Sequence, residues 1–92
     1  MIKGFADKDA EALWRGESPR RLSSVTRAAL RKLDLLDAAV ELIDLRVPPG
    51  NRLEALKGGR AGQHSIRIND QWRICFVWDG DGAAQVEIVD YH

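Results

Sequence analysis

Gln63-His64-Ser65-Ile66-Arg67-Ile68, Trp72-Arg73-Ile74-Cys75-Phe76-Val77-Trp78 and Gln85-Val86-Glu87-Ile88-Val89-Asp90-Tyr91 are the runs that decide the fold. Each alternates with the two-residue period of a pleated strand that turns one face to a core. His64, Ile66 and Ile68 share a parity, as do Trp72, Ile74, Phe76 and Trp78, and then Val86, Ile88 and Asp90. The connections Asn69-Asp70-Gln71 and Asp79-Gly80-Asp81-Gly82 carry turn residues. A two-residue loop at Asn69-Asp70 would set Ile66 against Arg73. A three-residue loop sets Ile68 against Trp72 and Ile66 against Ile74. Because a slip of one residue turns every side chain to the other face, the odd loop is the expectation. Val86 then falls against Phe76 and Ile88 against Ile74. Arg67, Arg73 and Tyr91 gather on the second face, which reads as an open sheet surface.

Ahead of the strands the period changes. Ile2 and Phe5 read as a short first strand, and Asp7 or Asp9 as the start of a helix through Leu13-Trp14 that stops near Gly16. Ser18-Pro19 has the form of an N-cap with proline at the first helical position. Leu22, Val25, Ala29, Leu33, Leu36 and Val40 then recur at spacings of three and four, the apolar stripe of a second helix. Val47-Pro48-Pro49-Gly50-Asn51 cannot prolong that helix, since Pro48 lacks a donor and Pro49 holds its predecessor extended. The fold class expected is α+β: one two-layer domain over residues 1–92, its N-terminal strand and two helices packed on one face of a mainly antiparallel sheet.

The chain has 92 residues, enough for one modest core. A lone cysteine, Cys75, excludes an internal disulfide and reads as a packed thiol in a reducing compartment. The start carries no signal-like apolar stretch, and no segment approaches the roughly 20 apolar residues that span a bilayer. A cytoplasmic protein without a membrane partner is expected. Basic and acidic residues balance at 14 each, but they are segregated. Residues 18–33 hold five bases and no acid, residues 34–44 four acids and no base, and residues 45–73 six bases against two acids. A basic stretch ending at Arg73 suits phosphate despite overall neutrality. The 18–33 block reads rather as a solvated helix face. No metal-ligand spacing, phosphate-cradling glycine loop or nucleophile triad stands out, so neither metal nor cofactor is expected.

The chain closes on Val89-Asp90-Tyr91-His92, which brings an acid, a phenol and an imidazole to the rim of the sheet. With Leu53-Glu54-Ala55-Leu56-Lys57-Gly58-Gly59-Arg60-Ala61-Gly62, Ser65-Ile66-Arg67-Ile68-Asn69 and Trp72-Arg73-Ile74, this ending closely resembles the HigB-type toxins of the RelE/ParE superfamily. The resemblance spans essentially the whole chain and is most specific in its back half. It implies a RelE-like toxin domain that enters the ribosomal A site and cuts mRNA as a metal-independent endoribonuclease. It also implies neutralisation by a HigA-like antitoxin with a helix-turn-helix domain, the complex repressing its own operon at operator DNA.

Carried over residue by residue, the resemblance assigns catalysis to Lys57, Arg73, Tyr91 and His92. Asp90 and Glu54 support them, and Arg60 and Arg67 bind RNA. Chemistry accommodates these assignments. Cleavage without a metal needs the 2′-hydroxyl deprotonated, charge on the phosphorane stabilised and the 5′-oxygen protonated. Arg73 offers a planar fork to phosphate, Lys57 an ammonium beside the flexible Gly58-Gly59, Tyr91 a stacking ring or donor, and His92 a proton shuttle. Many relatives have histidine where this chain has Glu54. Plainer readings stand beside each assignment: Arg73 as a solvent-facing arginine, Lys57 as a loop lysine, and Asp90 as a purely structural acid. His64 reads as a satisfied buried histidine, and Trp72, Phe76 and Trp78 as core; Trp14 reads either as packed or as exposed. A ParE-like toxin that poisons gyrase, and a catalytically weak relative that acts only through its antitoxin, are the alternative functions.

Overall fold

Four antiparallel strands, β1 (Glu54–Ala55), β2 (His64–Arg67), β3 (Trp72–Asp79) and β4 (Gly82–Asp90), lie side by side in sequence order in the computed structural model, which describes residues 1–91. The odd loop holds: Ile66 pairs with Ile74, Arg67 with Arg73, and Ile74 with Ile88. Asn69 sustains the turn, its side-chain oxygen accepting the backbone N–H groups of Gln71 (2.9 Å) and Trp72 (2.8 Å). The Phe76–Val86 pairing does not form. Pairing steps from Cys75↔Glu87 to Val77↔Ala84 through a bulge where Gln85 takes φ +52°. The extra residue bends β4 while Val86 stays buried in the core.

β4 begins three residues before the expected 85, because Ala83 and Ala84 show no alternation to read. This added length receives the N-terminus. Ile2 bridges Ala83 and Phe5 bridges Val86, both parallel, so the first segment lies along β4 as single bridges. The approach is close: Ala83 N–H reaches Met1 O at 2.7 Å, and a Cβ on Gly82 would lie 2.4 Å from that same oxygen. Only glycine fits there.

Helix α1 (Lys8–Trp14) starts where Asp7 caps it, Oδ1 accepting Asp9 N–H at 2.9 Å, and ends at Gly16 with φ +96°. The other Asp7 oxygen accepts from Arg21 Nη2 (2.7 Å) and from Ile88 N–H (3.1 Å), tying α1, the next turn and β4 together. Burial alone would lower the basicity of Arg21, but Asp9 and Asp7 more than offset it, and its pKa stands above the ordinary value.

Pro19 opens only a short 3-10 turn, Arg20–Leu22; the second helix, α2, runs Thr26–Ala38. The intervening Ser23 and Ser24 favour turns over helix interiors. Val40, expected on the buried stripe, lies past the helix end and is 68% exposed. Asp44 Oδ2 draws the N–H groups of Val40 and Glu41 (3.0 Å each) into the cap of a second 3-10 turn, Leu42–Arg46. Those backbone bonds, from Glu41 and then Val40, hold the Asp44 carboxyl below its usual range. Leu22, Leu33 and Leu36 pack with Leu13 and Leu45 on Ile66, Ile74, Phe76 and Ile88. Trp72 joins this core, and Trp14 and Trp78 pack against it partly buried. Among the described residues no helix is long and apolar enough to cross a membrane.

Candidate active site on the second sheet face

Strand parity sends Ser65, Arg67, Arg73, Cys75, Glu87 and Val89 to the face away from the helices, and β1 adds Glu54 opposite Ser65. This face is not open at its centre. Arg73 there is only 8% exposed, and the carbonyl of Arg52, next after the 3-10 turn Pro49–Asn51, reaches its guanidinium. Arg73 nevertheless stays out of the apolar core, since its guanidinium is held by polar groups. Nε donates to Ser65 Oγ at 2.8 Å, and Nη2 donates to the Arg52 carbonyl at 2.8 Å. Glu54 Oε1 lies 3.6 Å from Nη2, and the Tyr91 ring centroid 5.7 Å from the guanidinium carbon. An arginine merely facing solvent is excluded.

The covering loop is itself fastened. Asn51, fully buried, donates from Nδ2 to the carbonyls of Leu45 (3.2 Å) and Val47 (3.3 Å) and accepts from Lys32 Nζ at 2.5 Å. Burial, then the nearby cations Arg31 and Arg67, lower the Lys32 pKa. Arg52 follows in the left-handed conformation (φ +46°), and its carbonyl oxygen meets Arg73.

Tyr91 extends the ladder, its N–H donating to Gln71 O at 2.6 Å, and its side chain is 45% exposed beside Arg73. Asp90 Oδ2 accepts from the Gln71 side-chain amide at 3.1 Å. His92 lies outside the described residues. Lys57 is exposed at the entry to the 3-10 turn Gly58–Arg60, and its ammonium makes no ion pair among the described residues. The two arginines expected on RNA carry acids instead. Arg60 pairs with Glu87, which raises the arginine's pKa against the effect of burial, and bonds Gln63 Oε1 at 3.1 Å; Arg67 pairs with Asp70. Glu54 remains half-exposed.

The His64 reading needs correction. Its ring stacks on Phe76 with centroids 6.3 Å apart, yet buried Nδ1 finds no hydrogen-bond partner among the described residues. The ring lines a groove of about 380 Å³ with Leu42, Ile43, Leu53 and Glu54, on the β1 side of the site.

Sequence reasoning passed over Ser65, Glu87 and the Arg52 carbonyl. Parity alone places Ser65 and Glu87 on the Arg73 face, whereas nothing in Pro49-Gly50-Asn51-Arg52 announces a carbonyl aimed at a guanidinium. Cys75 lies on this face, fully buried, and burial pushes its thiol above the ordinary range although Arg60 acts in the opposite direction. Thiol-alkylating reagents should label the protein only after denaturation. Stoichiometric labelling of native protein, read by mass spectrometry, would mean that this face opens in solution.

A fixed guanidinium, a half-exposed carboxylate and a phenol thus lie together on this face. The family model for the RelE-like toxin of type II toxin-antitoxin system HigB matches residues 3–92. Toxin HigB-1 of Vibrio cholerae serotype O1 is 46% identical over 94 residues, covering 100% of this chain and 98% of its own. An uncharacterized protein of Haemophilus influenzae is 36% identical over 59 residues, which is 64% of this chain and 58% of that one. Among solved structures, a YoeB dimer from Staphylococcus aureus aligns with a TM-score of 0.49 at 18% identity, covering 99% of this chain and 94% of that chain. The match over residues 3–92 and the full-length identity to a HigB toxin place this chain among the HigB-like toxins, RelE-like toxins of type II toxin–antitoxin systems.

Proposed function

We propose that this toxin is a cytoplasmic, ribosome-dependent endoribonuclease, an mRNA interferase that cuts translated mRNA without a metal or cofactor. A HigA-like helix-turn-helix antitoxin neutralises it, and the complex represses the shared operon at operator DNA. The supporting observation is the convergence of Arg73, Glu54 and Tyr91 on one sheet face, within 3.6 Å for the ion pair and 5.7 Å for the ring.

In the reaction, a carboxylate takes the 2′-hydroxyl proton and the 2′-oxygen bonds to phosphorus. The bond to the 5′-oxygen breaks, and that oxygen leaves with a proton. A 2′,3′-cyclic phosphate and a 5′-hydroxyl result. Glu87 is engaged by Arg60, and Glu54, half-exposed in its 3.6 Å pair with Arg73, is the carboxylate we assign as the base. Arg73 and Lys57 stabilise the phosphorane charge, a contribution of order 10²- to 10³-fold for one well-placed donor. Tyr91 stacks on a base, His92 supplies the proton to the leaving oxygen, and Asp90 steadies the tail. Arg60 and Arg67, already paired with acids, approach RNA only at the rim.

The test is to map transcript 5′ ends after brief expression without antitoxin, with and without translation. Cuts in register with codons, present only during translation, are the expected result. DNA breaks with intact transcripts would instead identify a gyrase poison, and growth without arrest a relative that acts only through its antitoxin.

A further inference from the structure

We infer that Ser65 is a positioning residue that fixes which edge of Arg73 meets phosphate; the inference rests on the nuclease reading above. A guanidinium carries five N–H donors and can grip an anion along either of two edges. Here the side edge is already committed. Nε donates to Ser65 Oγ at 2.8 Å, and Nη2 donates to the Arg52 carbonyl at 2.8 Å with the Ser65 carbonyl 3.5 Å away. What remains is Nη1 at the end edge, since Nη2 already faces the carbonyls of Arg52 and Ser65, and Glu54 lies 3.6 Å from Nη2. An incoming phosphate therefore engages Arg73 end-on, beside the carboxylate that takes the proton.

Ser65 is built for this orientation. It is fully buried, it lies between Glu54 on β1 and Cys75 on β3, and its hydroxyl is the side-chain acceptor for Arg73 Nε. Alanine there leaves a buried N–H without an acceptor. The planar group is then free to turn its side edge towards Glu54, and the fork swings away from the reacting phosphorus.

The experiment compares wild type, Ser65→Ala, Ser65→Cys, Ser65→Thr, Arg73→Ala and the double variant Ser65→Ala/Arg73→Ala in a translating extract. The Nε–H signal of Arg73 is followed by NMR in parallel, assigned by its loss in Arg73→Ala. Ser65→Ala should lower kcat roughly 10- to 100-fold, the scale of a small misplacement, with KM near wild type and a melting temperature lowered by the unpaired N–H. Cysteine, close in volume but a poor acceptor, should behave like alanine and remains informative if alanine destabilises the fold. Threonine should restore most of the rate. Adding Ser65→Ala to Arg73→Ala should change nothing further, because the hydroxyl works through the guanidinium. The wild-type Nε–H should resist exchange with solvent, and that protection should vanish in the alanine and cysteine variants. An undiminished rate in Ser65→Ala, an equal loss in the Arg73→Ala background, or an unchanged Nε–H would overturn the inference. Failure of wild type to cleave would instead overturn the nuclease reading, while the NMR result still decides whether Ser65 orients Arg73.

Discussion

Arg73→Lys should reduce mRNA cleavage by about 10²- to 10³-fold in kcat, the cost of one misplaced charge-stabilising donor. Charge is conserved in this substitution, so the loss reports geometry. A lysine ammonium is a point donor on a flexible stem. It cannot reach Ser65 Oγ, the Arg52 carbonyl and Glu54 together, as the guanidinium does at 2.8, 2.8 and 3.6 Å. Keeping the cation spares Glu54 from facing a buried void, so the variant should fold and still bind its antitoxin. Arg73→Ala should lose as much activity and also some stability, since the buried Ser65 Oγ forfeits its donor. Single-turnover cleavage in a translating extract, with a melting curve on each variant, measures both. A lysine variant within about threefold of wild type would mean that a cation at position 73 suffices and the guanidinium geometry is not used.

The second large effect is on stability. Asp7→Ala should lower the unfolding free energy by about 3 kcal/mol, combining a lost N-cap with a buried N–H left unpaired. Asp7 caps α1 through one oxygen and serves both Arg21 and Ile88 N–H through the other, with its side chain only 14% exposed. Arg21 is 40% exposed and keeps Asp9, so the ion pair itself adds little. For a domain of this size the change corresponds to a fall of roughly 10–20 °C in Tm. Asp7→Asn keeps one acceptor, enough for the cap, but turns an amide NH2 towards the Ile88 N–H, and should cost about 2 kcal/mol. Urea unfolding at constant m separates these values. Equal losses for alanine and asparagine would mean that the cap is not part of what Asp7 contributes.

How far the chain could be read depended on which physical signal each part carried. Two-residue alternation is strong in Ile66, Ile74 and Ile88, and it placed the pairs Ile66–Ile74 and Ile74–Ile88 correctly because one slip would have exposed all three, whereas Phe76–Val86 failed at the bulge. The bulge at Gln85 left no trace, since an inserted residue preserves the apolar letters on both sides of it. β1 has two residues and no period to detect. Parity assigned Arg73 to the right face yet said nothing of what lies above it. The covering loop, with Asn51 locked inside and Arg52 left-handed, converts an expected open surface into a fitted socket. Val40 misled because helical spacing continues past Ala38, whereas Asp44 competes locally for the backbone N–H groups there.

The strap of residues 1–6 along β4 bears on solubility once antitoxin is gone. A bare strand edge is a template on which further chains add. Here one flank of the sheet is occupied by the protein's own beginning, down to a carbonyl against Gly82, and the other flank offers only Glu54 and Ala55. With margins this short, the toxin freed of antitoxin should not grow by strand addition, and light scattering on the isolated protein checks this.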